Sequence, residues 1–232
     1  MKVKLLAYTL NPDLVCGAAA RSCYSEDSAR VILHEHSRDK IIGSLRKCIE
    51  KGHASVLEHA NFTFSVEGVS RILTHQLVRH RIASYSQRSM RYVKANRDYV
   101  MPPSISKNSP ARKRFAGLMD EAWNVYEELL VQGIPVEDAR FALPHAVKTG
   151  IVITMNAREL LHFFELRTCQ HTQWELRELA KEMLKLVKKA APVIFEKAGP
   201  PCVARGLCPE KDEKCPMHAK CVNPGGEEKH DG

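Results

Sequence analysis

At 232 residues, 44% hydrophobic and 27% charged, the chain can bury a sizeable core, and its composition excludes fibrous and wholly disordered classes. A formal net charge of +8 favours phosphorylated or polyanionic partners but does not separate nucleic acid from a small phosphate-bearing ligand. No apolar run reaches the ~18–20 residues of a membrane helix, and the alternating start from Met1 to Tyr8 is not a signal peptide. The expectation is a soluble, cytoplasmic protein without a membrane partner.

In chain order, the alternation of Lys2–Thr9 predicts a strand, and Asn11-Pro12-Asp13 opens a helix over Leu14–Arg21. A second helix is predicted over Arg38–Glu50, with Ile41, Ile42, Leu45 and Ile49 on one face and Gly52 just beyond its end. Asn61–Gly68 alternates again through Phe62, Phe64 and Val66, a strand, and Val69–Val78 reads as a helix. After the polar stretch Arg79–Arg97 and the break at Pro102-Pro103, Phe115 to Leu130 recurs at helical spacing and ends at Gly133. Pro135 opens a short helix towards Pro144, and Lys148–Thr154 is a strand. Asn156–Thr168 is apolar almost all round and predicts a buried helix. Gln173–Lys189 carries Leu176, Leu179, Ala180, Met183 and Val187 on one stripe. The fold class is α+β: a single domain, residues 1–198, of long helices around a small, mostly antiparallel sheet. Gly199-Pro200-Pro201 closes that domain, and residues 199–232 form a Cys-rich tail, with 227–232 expected to be disordered.

Chemistry concentrates in Arg79–Arg91, where four arginines, one histidine and three serines fall within thirteen residues. Guanidinium forks bind phosphate oxygens bidentately and serine hydroxyls complete the shell, so the stretch suits phosphate, although composition alone equally allows a solvated basic loop. In the helix from Asn156, the charged or polar Arg158, His162 and Arg167 interrupt an apolar run. If buried, they require an anionic ligand or an acidic partner such as Glu165.

The order of these residues resembles flavin-dependent thymidylate synthases. Arg79-His80-Arg81, followed by Ser89 and Arg91-Tyr92, matches that family's signature. Gly52-His53-Ala54-Ser55 leading to Glu58-His59, and Asn156-Ala157-Arg158 leading to His162-Phe163 and Leu166-Arg167, match on either side. The resemblance covers about residues 2–195. It implies reductive methylation of dUMP to dTMP, with FAD as cofactor and 5,10-methylenetetrahydrofolate and NADPH as co-substrates, in a homotetramer whose active sites are shared between subunits. It places Ser55, Arg79, His80, Arg81, Asn156, Arg158 and His162 on the flavin. It places Gln76, Arg79, Gln87, Ser89, Arg91, Arg140 and Arg167 on dUMP, with Arg167 the catalytic group against the pyrimidine. Position 87 holds Gln where many relatives hold Glu, so it can hydrogen-bond but carries no charge. Ser89, among arginines, is read as a phosphate ligand rather than a nucleophile, and His53 and His59 stay open between proton relay and turn capping.

An alternative reading is a basic nucleic-acid-binding protein with a zinc-like tail, and another a relative that binds the ligands without turnover. Cys202, Cys208, Cys215 and Cys221 are spaced by five, six and five residues, wider than the usual two to four of structural zinc pairs, and their state stays open. No metal site is assigned. Because every matched motif precedes residue 199, removing the tail is expected to leave the chemistry intact.

Overall fold

The computed structural model describes residues 1–217. In chain order the elements are β1 (Lys2–Tyr8), α1 (Pro12–Ser22), α2 (Ala29–Glu35), α3 (Arg38–Glu50), β2 (Asn61–Ser70), α4 (Arg71–Leu77) and β3 (Ala83–Gln87). Then follow α5 (Pro103–Ser106), α6 (Ser109–Val131), α7 (Val136–Ala139), β4 (Lys148–Asn156), α8 (Ala157–Arg167), α9 (Trp174–Ala190) and α10 (Pro201–Ala204). Short 3-10 turns cover Ala54–His59 and Arg140–Ala142. The strands pair in the order β1-β2-β4-β3 as one antiparallel sheet, so the class is α+β.

Chain contacts group the residues into two units. The first comprises Met1–Lys2, Ser65–Arg79 and Tyr85–Ile153. Its core gathers Met119, Trp123 and Tyr126 of α6 with Ala139, Leu143, Ala146 and Val147. The 23-residue α6 starts at Asn108, whose side chain accepts the Ala111 N–H at 3.0 Å, with Pro110 in the first turn where its missing N–H costs nothing. At the close of β2, Ser70 caps α4 by accepting the Leu73 N–H at 3.1 Å.

The second unit comprises Val3–Phe64, His80–Ser84 and, among the described residues, 154–217. Its aromatic core runs from Phe62 to Phe195 (5.5 Å, edge-on), to Phe164 (5.9 Å) and to Phe163 (5.6 Å). The α9 stripe read from the sequence is buried as expected: Leu176, Leu179, Ala180, Met183 and Val187 are all fully inaccessible. Asp13 in the first turn of α1 ties the far end of the chain, accepting the Val193 and Ile194 N–H groups at 3.1 Å each. α1 and α3 pack closely at Gly17, where an added Cβ would lie 2.7 Å from the Ile41 carbonyl oxygen and its Cγ2.

The structure departs from the sequence reading at two places. The stretch after Arg79 contains a strand, β3, whose Ala83, Tyr85 and Gln87 are half-buried while Ser84 and Ser86 face outward. The period of two is present but written in small and polar residues, which hid it. The α8 helix is not buried all round: Leu160, Phe163 and Phe164 are inaccessible, yet Arg158, His162 and Leu166 are exposed, and the polar residue taken inside is Glu159. Residues 199–217 group with the second unit and include α10. Residues 218–232, including Cys221 and the expected disorder of 227–232, lie outside the described residues.

Candidate active site

In the second unit two of the sequence-predicted residues, His162 and Arg167, lie against a third, His80. It is 5% exposed, with its ring edge-on to Phe163 at 5.0 Å and to His162 at 5.9 Å. Nδ1 lies 3.1 Å from Glu159 Oε1, and Nε2 receives the Nε–H of Arg167 at 3.0 Å. An arginine nitrogen can only donate, so Nε2 must be the bare nitrogen and Nδ1 must carry the proton, which it donates to Glu159. The electrostatics agree. Burial first, then the nearby Arg167 and His162, push the His80 pKa down to about 4, so the ring is neutral at pH 7. Burial likewise raises the carboxyl of Glu159 above its ordinary range, with His162 acting in the opposite sense. The result is a directed relay of hydrogen bonds, Arg167 to His80 to Glu159, that fixes one edge of the Arg167 guanidinium.

The remaining residues of this group are arranged around α8 and the turn before β2. Asn156 caps α8, its side-chain oxygen accepting the Glu159 N–H at 2.9 Å, which also holds Glu159 in place. Arg158 is exposed and meets Glu58 Oε1 at 2.6 Å rather than Glu165. Glu165 is instead ion-paired with Arg205. Ser55 and Arg81 are exposed.

In the first unit, Glu137 organises the arginines. Its carboxylate receives Arg91 Nε–H at 2.7 Å and its carbonyl receives Arg140 Nε–H at 2.9 Å. The Ser89 hydroxyl accepts the Arg91 N–H at 3.2 Å, so Ser89, Arg91 and Arg140 form one connected cationic group. Gln87 is held from behind: its Nε2 donates to Thr74 Oγ1 at 3.2 Å and to Thr149 Oγ1 at 3.4 Å. A charged glutamate could not make those donations, which gives the uncharged side chain at this position a structural reason. Gln76 is half-buried on α4, and Arg79 is exposed just past its end.

A family profile described as "Thymidylate synthase complementing protein" matches residues 4–193. A flavin-dependent thymidylate synthase from Geobacter sulfurreducens is 49% identical over 218 residues, covering 93% of this chain and 94% of that one. The chain belongs to the flavin-dependent thymidylate synthase family. Another member, from Clostridium tetani, is 44% identical over 93% of each chain. Among solved structures, a UMP/dUMP methylase, PolB, from Streptomyces cacaoi bound with 5-Br dUMP superposes with a TM-score of 0.74 at 26% identity, covering 84% of this chain and 93% of that one.

Membership in the flavin-dependent thymidylate synthase family gives the protein a flavin cofactor. Two residues of interest escaped the sequence reading. Glu159 looked like an ordinary helical carboxylate; only tertiary burial makes it the partner of His80. Arg71 opens α4, and its Nη1 is buried with no hydrogen-bond partner among the described residues. Burial and the neighbouring Arg140 lower its pKa. No local pattern marked it, because α4 also carries Thr74, His75 and Gln76, and only the folded chain buries its guanidinium.

Among the described residues Cys202, Cys208 and Cys215 form no disulfide; the fourth tail cysteine, Cys221, lies outside them. Among the described residues no three His, Cys, Asp or Glu side chains are grouped to hold a metal, and no helix is long and apolar enough to cross a membrane.

Proposed function

We propose that the protein converts dUMP to dTMP by reductive methylation at C5, with 5,10-methylenetetrahydrofolate as carbon donor, FAD as the flavin and NADPH as the reductant. The observation that carries this reading is the Arg167–His80–Glu159 relay, which presents a permanently charged guanidinium beside a neutral imidazole. Arg167 lies against the pyrimidine and stabilises the negative charge that ionisation at N3 places on the ring, raising electron density at C5. A neutral His80 accepts from Arg167 without opposing its charge, so the guanidinium is held without being weakened.

The side chains of the second unit fit FAD. The exposed guanidiniums of Arg81 and Arg158 suit its pyrophosphate, with Ser55 as a hydroxyl donor. His80, His162 and Asn156 complete the second unit's set, and the family resemblance adds Arg79. When bound, FAD supplies the electrons of the reduction, which NADPH replenishes. In the first unit, Ser89, Arg91 and Arg140, tied through Glu137, hold the dUMP phosphate together with Gln76, Arg79 and Gln87. Arg71, whose buried Nη1 has no hydrogen-bond partner among the described residues, lies near Arg140 and extends the same cationic group. Ser89 acts as a ligand of phosphate rather than as a nucleophile. The working form is a cytoplasmic homotetramer with shared active sites, the family motifs all within residues 1–198 and residues 199–232 a distinct tail.

Tritium release from C5-labelled dUMP, omitting folate, FAD and NADPH in turn, tests the reading. Release and dTMP formation that require all three are expected. Release without dTMP would indicate partial turnover, and turnover that continues without NADPH would overturn the proposed reductant. Near-normal turnover in Arg167→Ala would overturn the role of that residue.

A further inference from the structure

Arg167 ends α8, and the last turn of a helix is where backbone carbonyls run out of intrahelical partners and the chain frays. A side chain that must be held to a fraction of an ångström needs support at that point. Thr172 Oγ1 provides some, donating to the Leu166 carbonyl at 2.8 Å. The rest comes from the tail. Glu165, Leu166, Thr168, Cys169, Gln170 and His171 all border an apolar cavity of about 370 Å³, whose other walls include residues 198–203 and 208–210 together with Cys215 and Met217. Arg167 is the one residue between 165 and 171 that does not border it; its Nε–H is turned to His80.

The tail is tied to this segment on both sides of Arg167. Arg205 is ion-paired with Glu165, two residues before it, and Asp212 Oδ2 lies 3.1 Å from His171 Nε2, four residues after it. Asp212 is itself set in place, its Oδ1 accepting the Lys214 N–H at 2.9 Å.

We propose that residues 199–217 are a positioning strap for Arg167, acting through Arg205 on Glu165 and through Asp212 on His171. Neither strap residue touches substrate; both fix the backbone from which the guanidinium reaches. The inference rests on the assignment of Arg167 to the pyrimidine, and it reverses the expectation that the tail is dispensable. Arg205 is more than half exposed, so its ion pair contributes little to global stability, and its effect belongs to geometry instead.

The test uses the full-length holoenzyme with Arg205→Gln combined with Asp212→Asn, Arg205→Glu alone, the charge-exchanged pair Glu165→Arg with Arg205→Glu, and Arg167→Ala in parallel. The first double variant is expected to lower kcat about tenfold, the scale of a small misplacement of a catalytic group. KM for dUMP, flavin content and Tm are expected to stay near those of the parent. The charge-exchanged pair is expected to recover most of the kcat lost in Arg205→Glu alone. Parental kcat in the first double variant, with Arg167→Ala inactive, overturns the strap and leaves the Arg167 assignment standing. Parental turnover in Arg167→Ala overturns both. A loss of kcat that follows a loss of flavin, or that charge exchange does not recover, overturns positioning in favour of a merely structural role.

Discussion

Removing the carboxylate behind His80 is expected to slow turnover without loosening dUMP, because it acts on the residue that orients Arg167. In Glu159→Ala the buried imidazole loses the acceptor, 3.1 Å from Nδ1, that selects its tautomer. The proton is then less strongly held on Nδ1. When it sits on Nε2, that nitrogen confronts the Arg167 Nε–H donor-to-donor across the present 3.0 Å. A hydrogen bond between a buried neutral group and a charged one is worth ~1–3 kcal/mol. If Arg167 must be oriented in the transition state, that is a loss of ~5- to 150-fold in kcat. Steady-state kinetics with saturating folate and NADPH provide the assay, with flavin absorbance and Tm as controls. Glu159→Gln, whose Oε1 still accepts from Nδ1–H, is expected to lose less. Nitrogen chemical shifts of His80 report the tautomer directly. A kcat within twofold of the parent in Glu159→Ala, with Nε2 shown to be protonated, would refute the argument that the tautomer governs Arg167.

The depressed His80 pKa makes stability depend on pH. The unfolded ring takes its proton near pH 6.5 and the folded ring only near 4, so stability is full above about pH 6.5 and falls as the pH drops towards 4. The loss is on the order of 3 kcal/mol, offset in part by Glu159, whose raised pKa works the other way. Urea midpoints between pH 7 and 4 should show this slope, and His80→Asn should flatten it; equal slopes would contradict the shift. Gly17→Ala places a methyl 2.7 Å from a backbone oxygen of α3, which cannot rotate away, so a loss of ~1–3 kcal/mol is expected despite the gain in helix propensity. An unchanged Tm would mean that α1 and α3 part freely. Burial pushes the Cys16 thiol up to about 12, whereas Cys23 is exposed. Iodoacetamide followed by peptide mapping should label Cys23 in the native protein and Cys16 only after unfolding.

Local periodicity sufficed for elements whose own residues carry the pattern. The helix over Arg38–Glu50 has the predicted limits, and the α9 stripe is buried residue for residue, because a 3.6-residue repeat of large apolar side chains has one way to leave water. The family was legible too, since the Arg79–Arg91 signature is a string of specific polar residues that needs no fold to be recognised. Tertiary structure decided what depends on a partner far away in sequence. β3 is a strand because its one neighbour in the sheet, β4, completes its hydrogen bonds, not because Ala83-Ser84-Tyr85-Ser86-Gln87 is strongly β-forming. Arg158 and Glu159 are adjacent and both charged, yet the helix turns one to solvent and the other into the protein, where His80, 79 residues away, makes it part of the site. Composition marked the tail as separable, but Arg205 and Asp212 find their partners on the α8 side of the second unit. Sequence thus determined which residues could bury themselves and which family they belong to. The pairing of charges and the protonation of His80 were decided by burial, because desolvation is set by neighbours that only the folded chain supplies.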